Sequence, residues 1–178
     1  MIAHTIRLAA LALGCLASIS AHALPQEAAV PGGIALAHLG NGPERPQAWF
    51  MDKRVAVVRD GRGWVAVVGL PLSLEPGVHD LRVASSGGAM EARPIRVDAK
   101  FYPLQRFKVP DQRMVEPSPE DQLRIEREQK RIDEIKAGFR DEPEPDLDFR
   151  LPAQGRLSGS FGLRRIINGL ERNPHAGI

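Results

Sequence analysis

Between about Val30 and Asp98 the chain alternates short apolar runs with polar turn residues. The runs are "GIALAHL", "QAWFM", "RVAVVRD", "GWVAVVGL", "VHDLRV" and "MEARPIRVDA". Asp60-Gly61, Pro76-Gly77 and Gly87-Gly88 separate several of them, and such dipeptides reverse the chain between antiparallel strands. Runs this short at this spacing predict a small β-sandwich over residues 30–100. In "WVAVVGL", Trp64, Ala66 and Val68 share one face while Val65, Val67 and Gly69 share the other. Both faces are apolar, which predicts a central strand. Trp49 and Trp64 are read as core residues, with a sugar-stacking platform as the alternative.

After "YPLQRFKVP" the pattern becomes highly charged. Ser118 as cap, Pro119 at the first helical position and Asp121 three residues after the cap predict a helix start, and Gly138 is its stop. Glu120 with Arg124 and Glu126 with Lys130 lie one turn apart in the favourable order. The helix over about 119–137 has only a thin stripe of Leu123, Ile125, Ile132 and Ile135, so it is expected to lean on a neighbouring surface. "RDEPEPDLDFR" cannot continue a helix or build a core, and reads as the solvated end of a linker spanning 101–150. From 151 onward, Gly155, Gly159 and Gly162 punctuate a bent strand that leads to a turn at Asn168-Gly169.

The amino terminus changes the picture. Arg7 precedes the apolar run "LAALALGCLASIS", and "AHA" at 21–23 has the small-x-small form that signal peptidase reads. Residues 1–23 are therefore expected to be a signal peptide cut after Ala23, which makes the protein exported to the periplasm or cell envelope. "ALGC" at 12–15 offers a lipoprotein cut at Cys15 as the weaker alternative. Cys15 is the single cysteine; once it is removed, any metal must be held by His and carboxylate. The net charge of +2 loses only Arg7 on cleavage and gives no reason to expect nucleic acid as a partner.

The closing segment, "GRLSGSFGLRRIINGLERNPHAGI", carries the most specific pattern. Gly155, Arg156, Leu157, Ser158, Phe161, Gly162, Arg164 and Arg165 precede Asn168-Gly169, followed by Pro174, His175, Gly177 and Ile178. It resembles the start of the catalytic domain in lysostaphin- and LytM-type zinc metallopeptidases, family twenty-three of the metallopeptidases, which cut peptide cross-bridges in peptidoglycan. Gly159 stands where a second Ser is common. "WVAVVGLPLSLEPGVHDLRV" is similar to the β-rich amino-terminal domain of one branch of that family, and "VEPSPEDQLRIEREQKRI" to its connecting helix.

The resemblance implies a fold and a chemistry. The fold is mainly β: an amino-terminal β-sandwich, one charged connecting helix, and the first strand of an incomplete antiparallel peptidase domain over 151–178. The family holds Zn²⁺ with a His, an Asp four residues later and the second His of a distant His-x-His pair, with water in the fourth position. His175 corresponds to the first ligand, and Arg164, Arg165 and Asn168 are candidates for the substrate groove. The expected Asp would follow Ile178, so the chain as it stands is expected to be inactive, with no catalytic residue of its own, and residues from about 141 onward to be loosely ordered. Peptidoglycan is the implied partner. The alternatives are a non-catalytic envelope module that binds peptidoglycan or regulates another wall hydrolase, and a β-sandwich that only shields the groove.

Overall fold

The computed structural model describes residues 24–84, 88–111, 113, 115–151, 153–155 and 159–177. Residues 1–23, on which the signal-peptide expectation and Cys15 fall, lie outside these, as do Gly87 and the motif residues Arg156, Leu157, Ser158 and Ile178. Six strands form the amino-terminal sheet: β1 (Ile34–Gly40), β2 (Gln47–Phe50), β3 (Lys53–Asp60), β4 (Gly63–Gly69), β5 (Gly77–Ala84) and β6 (Met90–Val97). Their order is β1-β4-β3-β2-β5-β6, and every pairing is antiparallel. The mainly β architecture read from the sequence is present, and the two layers expected of a sandwich are the halves of this one sheet. It curls until the first and last strands approach, where Arg93 Nη1 donates to the carbonyl of His38 at 3.2 Å.

The core lies inside the curl. Ala48, Phe50, Ala66, Val68, Leu81, Val83, Ile95 and Val97 are buried together, with Trp64 packed partly against them. Alternation in β4 separates Ala66 and Val68 from Val65, which is buried on the opposite face with its cross-strand partner Val58. β4 is thus central and apolar on both faces, as its sequence predicts. Each fully buried Leu or Val, such as Leu81, Val65 and Val68, contributes about 1.5–3 kcal/mol. The tryptophans sit at the margin: Trp64 Nε1 donates to the Gly42 carbonyl at 2.8 Å, and Arg59 covers its ring. The β2–β3 turn is carried by Met51 at a φ of 54°, a residue type that does not announce a turn.

A helix, α1 (Pro119–Ala137), has the bounds that its end signals predict. Ser118 Oγ accepts from the Asp121 amide at 3.2 Å, and Gly138 closes the helix. The apolar stripe does not lean on a surface: no residue of the helix is buried, and Leu123 and Ile135 are 64% and 69% exposed. Its side-chain bonds run from Gln122 to Glu126 and from Gln129 to Asp133 rather than through the expected Glu–Arg and Glu–Lys pairs. Capping is local and needs no neighbour, which is why the helix forms without one.

The linker departs from its reading at both ends. Residues 104–107 form β7 (Leu104–Phe107), and the beginning of the acidic run docks on the amino-terminal sheet. Asp141 meets Arg45 at 2.5 Å and Arg54 at 3.3 Å, and Arg45 also donates to the Glu142 carbonyl. The Arg54 guanidinium lies over the Phe139 ring at 4.9 Å and the Trp49 ring at 5.9 Å. Arg45 in the loop before β2 and Arg54 on β3 supply the counter-charge that local sequence around Asp141 does not show.

Candidate metal-binding segment

The terminal segment forms a hairpin of β8 (Arg164–Ile167) and β9 (Leu170–Arg172). Asn168 and Gly169 turn it with φ values of 52° and 84°, the left-handed pair that Asn-Gly favours. Strand β8 has a partner on each edge: β7 pairs with it in parallel and β9 antiparallel. Arg164 N–H donates to the Pro103 carbonyl at 2.9 Å and Asn168 N–H to the Phe107 carbonyl at 3.2 Å, so β8 is bonded to β7 along its whole length. Its backbone groups are satisfied by a strand some sixty positions earlier, so residues 164–167 are paired rather than loose.

The four candidate residues part company here. Asn168 holds the fold: its Oδ1 accepts from the Val109 amide at 2.8 Å and its Nδ2 donates to the Val109 carbonyl at 3.0 Å. Arg164 reaches across the hairpin to Glu171 at 2.8 Å, an ion pair with both side chains at least half exposed. Arg165 points to the other face of the strand, opposite Arg172, and its Nε is buried without a hydrogen-bond partner among the described residues. Arg172 in turn donates to the carbonyl of Val115, which itself is buried.

His175 is fixed by its backbone. Its N–H donates to the Leu163 carbonyl at 2.9 Å, and its carbonyl accepts from the Gly162 N–H at 2.7 Å. The segment after β9 therefore lies back along the residues that precede β8. Gly159 passes close over the side chains: a Cβ there would lie 3.2 Å from Arg165 Nη2 and 3.5 Å from His175 Nε2. The His175 Nε2 is buried and has no hydrogen-bond partner among the described residues. With the proton on Nδ1, a buried Nε2 without a partner offers a lone pair that suits a metal ligand.

One nitrogen does not make a metal site. Among the described residues no group of three or more His, Cys, Asp or Glu could hold an ion. The donors present thus fit the first position of a zinc set and do not complete it. Sequence pattern picks out His175 but not the residues that seat it: Tyr102, whose ring lies against Gly162, carries no motif of its own.

Comparison with known proteins bears on both halves. The description "Peptidase family M23 N-terminal domain" matches residues 27–100, which is the curled sheet. A crystal structure described as a peptidase M23 from Pseudomonas aeruginosa is 34% identical with a TM-score of 0.61. The match covers 76% of this chain and 52% of that one, so the chain spans about half the length of the solved relative. No curated protein matches the sequence.

Proposed function

The chain is a LytM-type member of peptidase family M23 that carries the family's N-terminal domain, and from that premise we propose that it is the amino-terminal part of an exported zinc metalloendopeptidase that hydrolyses peptide cross-links in peptidoglycan. The observation that supports this reading is the His175 imidazole, seated by two backbone bonds and with a buried Nε2 that has no hydrogen-bond partner among the described residues. His175 serves as the first zinc ligand, and the Asp and His-x-His that complete the set belong to positions beyond 178. When bound, zinc supplies Lewis-acid polarisation of the scissile carbonyl and lowers the pKa of its water toward neutrality. The residues of this chain hold the imidazole in place, and Arg164, half exposed, reaches acidic groups of the peptide by exchanging its Glu171 partner for them. Export rests on the signal-peptide pattern of residues 1–23.

The test is muropeptide release from purified sacculi by a version extended through the downstream Asp and His-x-His, with His175→Ala as control. Release that needs both zinc and His175 is the expected result. Stoichiometric zinc without release removes the peptidase reading. The family match falls on the N-terminal domain, residues 27–100, which supports a second reading: a non-catalytic envelope module that binds peptidoglycan or regulates another wall hydrolase. Pelleting of residues 24–178 with sacculi at low salt, together with an extended version that binds no zinc, is the outcome that selects it.

A further inference from the structure

The seating of His175 continues past its own hairpin into the amino-terminal domain. Gly162, whose N–H holds the His175 carbonyl, has a φ of 81°, and a Cβ on it would lie 2.1 Å from Tyr102 Cδ1 and Cε1. The Tyr102 ring therefore lies directly against the Gly162 backbone, a position that any side chain at 162 would take away. Tyr102 is fixed in turn: its hydroxyl donates to the Pro31 carbonyl at 2.6 Å, and Lys100 Nζ stands 5.1 Å from the ring centroid. The next residue, Pro103, accepts the Arg164 amide. Beside Pro31, Gly32 has a φ of 78°, and its missing Cβ leaves room for Phe161 Cε1 and Leu72 Cδ2, each 2.7 Å from where that carbon would sit. Pro31-Gly32 thus grips the Phe161-Gly162 pair through one direct contact and one tyrosine.

We propose that Tyr102 is a positioning residue for His175, through which the amino-terminal domain sets the placement of the metal-ligand imidazole. Its importance for zinc rests on the reading of His175 as a ligand, whereas the chain of contacts from Pro31 to His175 does not. Tyr102 acts through Gly162 and touches neither metal nor substrate. The amino-terminal domain in this view is part of the ligand's support and not only a cover.

The experiment follows individual groups by NMR in the 1–178 chain: amide exchange at Gly162 and His175, and the side-chain nitrogen signals of His175. Amides of Val65 and Leu81, buried in the sheet, serve as reference. Tyr102→Ala is expected to speed exchange at Gly162 and His175 by about tenfold or more through local opening. It should also move the His175 ring signals while the reference amides keep their rates. Tyr102→Phe keeps the ring and loses one hydrogen bond, so it should return the ring signals to their wild-type positions and speed exchange by only about threefold. Unchanged exchange at Gly162 in either variant overturns the proposal, and so does equal acceleration at Val65 and Leu81. If Tyr102→Ala does not fold, the Tyr102→Phe comparison decides alone. In the extended protein, Tyr102→Ala should also weaken zinc affinity. An extended wild type that binds no zinc sinks the peptidase reading and leaves the exchange result standing.

Discussion

Replacing Asp141 with Asn should release the strap formed by residues 139–142 from the amino-terminal sheet. Asp141 bridges Arg45 at 2.5 Å and Arg54 at 3.3 Å, and its side chain is 47% exposed against 25% and 26% for the arginines. Pairs this open to water are worth about 0.2–1 kcal/mol each, so losing both pairs costs about 0.5–2 kcal/mol of docking. At about 1.4 kcal/mol per tenfold, the undocked population rises by about 2–30-fold. Stacking of Arg54 between Trp49 and Phe139 survives the substitution and keeps the effect at the lower end. Limited trypsin digestion reads this directly, because Arg140 lies inside the strap and cleavage of a transiently opened segment follows its open population. Cleavage after Arg150, whose side chain is 86% exposed, supplies the internal reference. The ratio of the two rates should rise in Asp141→Asn, and high salt should raise it in the wild type toward the same value by screening the pairs. A ratio that changes with neither substitution nor salt would refute the ion-pair account of docking.

The helix start should be acid-sensitive. The Asp121 carboxyl is held below its ordinary value of 3.8, first by the hydrogen bond from Arg113 and then by that from Ser118. A depressed folded pKa gives stability that is present above the ordinary value and lost as pH falls through the folded one. Helical circular dichroism should therefore stay flat at neutral pH and decline in a step below 3.8 that Asp121→Asn abolishes. Asn168→Ala removes both bonds to Val109 and should cost about 1–3 kcal/mol in urea unfolding. Unchanged stability with reduced muropeptide release in the extended protein would return Asn168 to the groove.

What could be read from the sequence was local. Helix α1 ends where Ser118, Pro119 and Gly138 say it should, since capping bonds form within a few residues. The turn at Asn168-Gly169 and the two-faced strand Gly63–Gly69 were visible for the same reason: left-handed turn residues and period-two alternation act over short spans. The β7–β8 pairing was not visible, because a parallel partner sixty positions away leaves no mark in either strand. The strap at Asp141 was hidden in a different way. Its acidic, proline-rich composition does describe a solvated linker, and only the placement of Arg45 and Arg54 shows where it docks.

The same distinction runs through the candidate site. Chemistry-bearing residues occur in the sequence as a pattern, and His175 is found that way. The groups that fix them occur only as geometry. Gly162 is part of the recognisable Phe-Gly-x-Arg stretch, yet the need for glycine there comes from Tyr102, which belongs to no motif and approaches from across the β7–β8 boundary. Substituting Gly162 and removing Tyr102 therefore disturb one contact from its two sides, and the Pro31 carbonyl is where that contact joins the curled sheet. The sheet and the His175 segment consequently share a structural joint. In the proposed coupling, motion that separates Pro31 from Tyr102 reaches the backbone bonds that seat the imidazole through the Tyr102–Gly162 contact.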